Sequence, residues 1–223
     1  MNGFNHLVVW VGTIMIIISF IFALSISKIS NNRAYLKYFF IYPLIGIILS
    51  INTILNKIFH LYTSSVNFSL QNILLLCDLT FWLFVFSDVF YNKEALLKLR
   101  ILFFITFCGA IFYYFFNPID KPNLHIVSIF NICKTLFCIY YYFDLFRKAP
   151  DQKIKSEPSF WIVTGLLFYS CLSVPFYALN DYLRSQFPLT ISDNLFAVSN
   201  IMIIIMHLFF IKAYICTLRL HKV

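Results

Sequence analysis

Seven long apolar segments, separated by short polar stretches, make up most of the chain. They predict helices at about 7–26, 35–56, 69–90, 99–116, 124–146, 158–183 and 195–218. Each segment is close to the ~20 residues that cross a hydrocarbon layer of about 30 Å, and none alternates as the strands of a membrane barrel do. The expected fold class is therefore all-α: one polytopic domain, residues 1–223, formed by a bundle of seven transmembrane helices.

The composition favours lipid as the solvent of these segments. Hydrophobic residues make up 61% of the chain and charged residues only 12%, whereas a soluble domain carries about 25% charged residues. So small a charged fraction cannot cover a surface that faces water. The aromatic fraction of 20% suits lipid-facing helices and interfacial belts.

The connections between the segments are short, so we expect no separate soluble domain. None exceeds about twelve residues, and the most basic one covers residues 147–157; all are far below the size of a domain. The residues before the first segment contain no Lys or Arg, and no small-residue cleavage site is evident. We therefore expect this segment to be a retained helix rather than a signal peptide. Pro158 suits a helix start, and Pro175 predicts a kink in the sixth helix.

The basic residues predict an orientation. Three of them, Lys57, Lys121 and Arg184, fall at one set of helix ends, and thirteen fall at the other. The larger set comprises Lys28, Arg33, Lys37, Lys93, Lys98, Arg100, Arg147, Lys148, Lys153, Lys155, Lys212, Arg219 and Lys222. Because the more basic side of a membrane protein faces the cytoplasm, we expect the N-terminus outside and the C-terminus in the cytoplasm, in a bacterial inner membrane.

The same basic loops bear on the partners. The net charge of +8 is spread over several loops, which favours anionic lipid headgroups over a nucleic acid as its counterpart. The loops also offer a docking surface for a cytoplasmic protein. The sequence leaves open whether the chain forms a homo-oligomer.

Two charged residues lie deep inside apolar segments. Asp78 is in the third predicted helix and Lys134 in the fifth, at similar distances from the outer ends. A charge in the middle of a membrane costs about 2.5–3.5 kcal/mol on insertion scales, so each needs a partner or water. The two residues either form a salt bridge that only joins two helices, or belong to a ligand, ion or proton site. The sequence leaves both interpretations open, and with them whether the two side chains pair.

Three further polar residues extend this candidate site. Asn131 lies three residues before Lys134, on the same helical face. Asn200 and His207 lie in the seventh predicted helix, and Asn200 is the nearer to its outer end. Each also has a structural interpretation, since an Asn or His in a membrane helix often only links helices.

Motifs for several kinds of chemistry are absent from the sequence. The chain has no HExxH pair, no GxSxG turn and no Gly-rich phosphate loop, and its five histidines are scattered. Its six cysteines form no CxxC pair, so we expect small buried side chains rather than a zinc or redox site. No lysine lies deep in the last helix, as a retinal protein requires. We predict no enzyme activity, no catalytic residue, no metal and no cofactor.

Two segments resemble an uncharacterised bacterial family of seven-helix membrane proteins, whose members occur alone or as the membrane module ahead of a histidine kinase. Residues 158–169, PSFWIVTGLLFY, resemble the family's P-x-F-W-I-x-x-G-L-L-I-Y opening of helix six, and residues 140–145, YYYFDL, resemble its Y-Y-F-Y-E-L pattern. Asp78 falls near a third-helix glutamate of the family. The family pattern has no counterpart of Lys134, and the chain lacks the family's His-Ile-Tyr before Asp78. The resemblance implies the fold and a sensor-like role.

Three functional hypotheses follow. The first is a receptor-like or sensor-like module that acts through a cytoplasmic partner at the basic loops. The second is a small transporter or channel with a polar site at Asp78 and Lys134. The third is a membrane accessory or pore-forming effector of a bacterial defence system.

Overall fold

The computed structural model describes residues 3–28, 33–59, 64–90, 92–117, 123–148, 154–179, 182 and 189–220. In this part of the chain the ordered structure is helical, and no strand is present. The helices are α1 (Gly3–Ser27), α2 (Ala34–Tyr38), α3 (Ile41–Phe59), α4 (Ser64–Val89), α5 (Lys93–Phe116), α6 (Leu124–Lys148), α7 (Pro158–Ala178) and α8 (Leu189–Leu220). A short 3₁₀ turn at Ile154–Ser156 precedes α7.

Seven stretches of the described chain are helical, long and apolar enough to cross a membrane, as the sequence predicts. They are Leu7–Ser27, Ala34–Asn52, Phe68–Val89, Leu96–Phe116, Leu124–Arg147, Pro158–Ala178 and Ala197–Arg219. Many large apolar side chains, such as Phe104, Phe112 and Phe115, lie on the outside of the bundle. A water-soluble protein rarely exposes so large an apolar surface. The chain is an all-helical, multi-pass membrane protein.

The second span is not the single helix that the sequence predicts. It is interrupted at Phe39 and Phe40, between α2 and α3. The cause is Pro43, which has no N–H to donate to the carbonyl of Phe39 and whose ring would clash with that carbonyl in a continuous helix. The Phe39 carbonyl instead accepts a hydrogen bond from the Tyr42 N–H (3.2 Å). Pro43 itself lies in the first turn of α3, where a proline is tolerated.

The other helix bounds differ from the predicted ones mostly by extension. α5 begins at Lys93 rather than near residue 99, because the Asn92 side chain accepts a hydrogen bond from the Glu94 N–H and caps the helix there. α7 ends at Ala178 rather than 183, and the Leu179 N–H bonds to the Pro175 carbonyl (3.0 Å). Because Pro175 lies in the last turn, a bend there affects only the end of the helix.

The helix ends that carry most of the basic residues meet at one end of the bundle, which we call the basic end. A salt bridge joins Arg33, before α2, to Glu157, before α7 (2.7 Å). Hydrogen bonding to the Glu157 carboxylate is the main factor that raises the pKa of Arg33 above its ordinary value, so Arg33 stays charged at any physiological pH.

Two carboxylates at the basic end bind the first turns of neighbouring helices. Asp88, at the end of α4, accepts a hydrogen bond from the Tyr35 backbone N–H (2.8 Å). Asp144, in α6, accepts one from the Asn92 backbone N–H (3.2 Å), just before α5. Backbone N–H groups at a helix start have no partner within their own helix and favour negative charge. These bonds fix how α4 and α6 meet their neighbours.

Helices α7 and α8 approach each other closely at Gly165 of α7. A methyl group at this position would lie 2.8 Å from the Cβ atom of Phe209 and 3.1 Å from the carbonyl oxygen of Met206, both in α8. Glycine is therefore required for α7 and α8 to pack this closely. Helix α8 also packs along α1, and α7 along α6, so these four helices form a continuous layer. Helices α3 and α4 complete the bundle around the site described next.

Candidate functional site: a polar cavity at mid-membrane

A salt bridge lies at the centre of the bundle. The Lys134 ammonium of α6 donates a hydrogen bond to Asp78 Oδ2 of α4 at 2.8 Å. The side chain of Lys134 is 4% exposed and that of Asp78 is 18% exposed. The structure therefore pairs the two charges whose pairing the sequence leaves open.

A third side chain holds the carboxylate in place. Trp82, one turn after Asp78 in α4, donates its indole N–H to Asp78 Oδ1 at 3.1 Å. Each carboxylate oxygen thus accepts one hydrogen bond, and the Lys134 ammonium lies 6.0 Å from the centre of the Tyr169 ring. The aspartate has no freedom to turn away from the lysine without losing the bond from Trp82.

The salt bridge lies in the middle of the membrane. Asp78 and Lys134 each follow the first residue of their spans, Phe68 and Leu124, by about ten positions, or about 15 Å along a helix. That distance is half of a hydrocarbon layer of about 30 Å. His207 lies about ten positions into its own span. The three side chains therefore share one level.

A cavity of about 270 Å³ adjoins the salt bridge, and we call it the central cavity. Four of the five predicted site residues line it: Asp78, Asn131, Lys134 and His207. The rest of its wall comprises Ile16, Tyr42, Ile45, Gly46, Leu49, Ser50, Gln71, Leu74, Leu75, Val127, Tyr169, Ile203 and Met206. A mostly apolar wall with a few convergent polar groups is typical of a small-ligand site, and the volume lies near the lower limit of such sites.

Two of these polar side chains are buried and have an unpartnered nitrogen. Asn131 is 1% exposed and His207 is 2% exposed. Neither Asn131 Nδ2 nor His207 Nδ1 has a hydrogen-bond partner among the described residues. Leaving a buried polar group unsatisfied costs about 1–3 kcal/mol, so these atoms mark the places where the cavity wall can bind something polar.

The cavity is closed toward the basic end by a cluster of aromatic side chains, which we call the aromatic floor. It consists of Phe39, Trp82, Phe86, Phe210 and Tyr214, none of which has exposed surface. The Trp82 ring lies 6.0 Å from Phe39 and 6.2 Å from Phe210, centre to centre. Trp82 follows Asp78, and Phe210 follows His207, in the direction of the basic end. The cavity itself extends the other way, toward Gln71 and Val127.

Asn200, the fifth predicted site residue, does not line the central cavity. It lines a neighbouring cavity of about 250 Å³ between α1, α3 and α8. The two cavities share the side chains of Ile16, Leu49, Ser50 and Ile203 in their walls. The structure therefore places Asn200 next to the site rather than in it.

Several residues of the site were not predicted from the sequence. Tyr42, Tyr169 and Gln71 line the cavity, and Trp82 binds Asp78. Tyrosine occurs 14 times in this chain, so its presence at positions 42 and 169 does not mark a site, and the three tryptophans have an interfacial or packing role as an equally simple explanation. The spacing of Asp78 and Trp82 is the one usable signal, because residues four apart lie on the same helical face.

The cysteines differ in part from the expectation. Cys133 and Cys138 are buried, as predicted, but Cys77, Cys108 and Cys171 lie on the outside of the bundle. They face the same apolar surroundings as the phenylalanines near them, since a lipid-facing position accepts a small apolar side chain as readily as a core does.

The charged and polar side chains of the central cavity can bind a ligand through ion pairs and hydrogen bonds. Among the residues that the structure describes, no three His, Cys, Asp or Glu side chains are grouped so that they could hold a metal ion. Comparisons with protein-family models, curated proteins and solved structures gave no match. A function is therefore assigned from the residues of the central cavity themselves.

Proposed function

We propose that this protein is a receptor-like membrane module that binds a small polar ligand in the central cavity and acts on a cytoplasmic protein at the basic end. The observation that carries the proposal is the mid-membrane Asp78–Lys134 pair, which faces a cavity where Asn131 and His207 have unpartnered nitrogens. A pair that only joined two helices would need neither a cavity nor unsatisfied groups beside it.

The aromatic floor supports a receptor rather than a continuous pore. Buried aromatic rings fill the space between the cavity and the basic end, and Trp82 of the floor contacts Asp78 as well as Phe39 and Phe210. A ligand that changes the geometry of Asp78 would act directly on Trp82. Phe39, which packs against Trp82, lies between α2 and α3, close to the hydrogen bond from Tyr35 to Asp88. The floor thus links the cavity to the basic end through packed side chains.

The proposed orientation places the basic end in the cytoplasm and the cavity on the outer side of the floor, in a bacterial inner membrane. The thirteen basic residues support it, as does the resemblance to modules that precede histidine kinases. Reporter fusions at the C-terminus should report a cytoplasmic location. A periplasmic location would reverse the assignment of the two ends.

Site-specific photocrosslinking tests the action on a partner without any ligand. A photoreactive amino acid in place of Ser156, which is exposed at the basic end and lies outside the membrane spans, should form an adduct with a discrete soluble protein in native membranes. The matched control is Leu179, which is 52% exposed just beyond the opposite end of α7 and should form no such adduct. The receptor proposal fails if Ser156 yields no protein adduct, or the same adducts as Leu179.

The position of the charged pair also favours a second candidate, a small transporter. Mid-membrane ionisable residues commonly mark substrate or proton paths. In that case Asp78→Asn would abolish proton or amino-acid flux into proteoliposomes while the protein stays folded, and Arg33→Gln, at the basic end, would leave the flux intact. Absence of flux in the unaltered protein removes this candidate.

A further inference from the structure

The charges and free hydrogen-bonding groups of the central cavity restrict the chemistry of its ligand. This inference rests on the proposed function, because it concerns what the same cavity binds. We infer that the ligand is a small free zwitterion with no net charge, whose anionic group binds Lys134 and Asn131 and whose ammonium group binds Asp78.

The first step concerns the groups that remain available. An ammonium has three N–H donors, and one donor of Lys134 is used by Asp78. The unpartnered amide nitrogen of Asn131, one turn away on α6, adds further donors. Lys134 and Asn131 therefore present a cluster of free donors to the cavity, and such a cluster binds an anionic group such as a carboxylate.

The second step concerns Asp78. A carboxylate has about four acceptor positions on its two oxygens. The Trp82 N–H occupies one position on Oδ1, and the Lys134 ammonium occupies one on Oδ2. Positions therefore remain for a cationic donor, and a ligand ammonium can bind Asp78 without breaking the bond to Lys134.

The third step concerns the net charge. Asp78 and Lys134 contribute one negative and one positive charge. The cavity wall therefore has no net charge when the His207 imidazole is uncharged. No other Asp, Glu, Lys or Arg lines it among the described residues. An anion or a cation would bring an uncompensated charge to the middle of the membrane, whereas a zwitterion forms two alternating charge pairs. The apolar side chains of Ile45, Leu49 and Leu75 can then contact the ligand body.

The depth of the cavity argues for a free molecule rather than a lipid headgroup with the same charges. The salt bridge lies about 15 Å from the ends of its spans, so a headgroup would have to leave the interface and enter the hydrocarbon layer. A free solute of limited size can enter a cavity of about 270 Å³.

The test uses three sets of compounds on matched carbon skeletons, added to the purified full chain in detergent. Glycine, leucine and phenylalanine are the zwitterions, their amides are the cations, and their N-acetyl forms are the anions. At ten times its Kd, a bound zwitterion should raise the Tm by about 3 °C or more. Lipid headgroups are represented by added phosphatidylethanolamine, which should give no such rise.

The variants locate the binding. Asn131→Ala should weaken zwitterion binding at least about tenfold; it breaks no hydrogen bond at Nδ2, so the chain should still fold. Ser128→Ala is the matched control on α6, because this hydroxyl bonds the Leu124 carbonyl within its own helix and the residue does not line the cavity. It should leave binding unchanged. The double variant Asp78→Asn/Lys134→Met should abolish binding.

Four results would overturn the inference. The first is a Tm rise from an amide or N-acetyl compound that equals that of its parent amino acid, and the second is zwitterion binding that survives in the double variant. The third is the absence of a Tm rise with all three zwitterions, and the fourth is a Tm rise caused by phosphatidylethanolamine alone. None of these results would affect the photocrosslinking outcome at Ser156, which uses no ligand, so failure of the ligand class and failure of the receptor proposal are distinguishable.

Discussion

The salt bridge at mid-membrane predicts a strong coupling between two substitutions. Asp78→Asn removes the negative charge and leaves Lys134, which is 4% exposed, without its counter-ion. Lys134→Met leaves Asp78 with only the Trp82 N–H. Breaking a buried pair by removing one partner costs about 3–5 kcal/mol, whereas replacing both partners is often neutral. Since Asp78 is 18% exposed toward the cavity, we expect the lower end, about 3 kcal/mol of unfolding free energy for each single variant.

The double variant should be close to the unaltered protein, because it leaves no buried charge. Its loss of unfolding free energy should be smaller than the sum of the two single losses by at least about 2–3 kcal/mol. Reversible unfolding by SDS in mixed micelles, followed by circular dichroism at 222 nm, measures these values. Asp78→Asn combined with Ser128→Ala is the control. Those two residues share no hydrogen-bond partner, so their effects should add to within about 0.5 kcal/mol. Equally additive effects of Asp78→Asn and Lys134→Met would refute the salt bridge as described.

Three further predictions use the same measurement. Gly165→Ala should lower the unfolding free energy by about 1–3 kcal/mol, because the added methyl group would lie 2.8 Å from α8. Its control, Gly109→Ala, has no atom within 4 Å of the added methyl group and should be neutral or stabilising by up to about 1 kcal/mol. Equal effects of the two variants would contradict the close packing of α7 and α8. Glu157→Gln should lower the unfolding free energy by less than about 1 kcal/mol, because its partner Arg33 is 39% exposed and water screens the ion pair. A larger loss would contradict this screening. Trp82→Phe should cost about 1.5–3 kcal/mol through the bond lost to a charged acceptor, and an unchanged stability would contradict that bond.

The extent of each helix follows almost entirely from local sequence. Each span must satisfy its backbone hydrogen bonds internally and cover about 30 Å with apolar side chains, and both conditions can be read from about 20 consecutive residues. The observed helix bounds differ from those predicted by hydropathy where a side chain caps the helix. Asn92 is an example, because it caps α5 several residues before the apolar segment begins. The break at Phe39 and Phe40 is also local, since Pro43 causes it, but average hydropathy does not detect it.

The candidate site was predictable only in part. Asp78 and Lys134 could be identified because a charge in an apolar segment is costly wherever the helices pack. Their common depth followed from counting residues along the helices. Asn131 followed from its spacing to Lys134 on one helical face. Asn200 fitted the same reasoning equally well, yet it lines a neighbouring cavity instead.

The sequence by itself determined the number of spans, their lengths and the cost of each buried charge, since these depend only on composition within one segment. The tertiary structure alone decided that Asp78 bonds to Lys134 and Trp82, that Tyr42 and Tyr169 join the cavity wall, and that aromatic rings close one side of it. The physical reason is the rotation of each helix about its own axis. A helix that is apolar all round carries no local preference for which side chain faces the centre, so that choice is made only by packing against its neighbours.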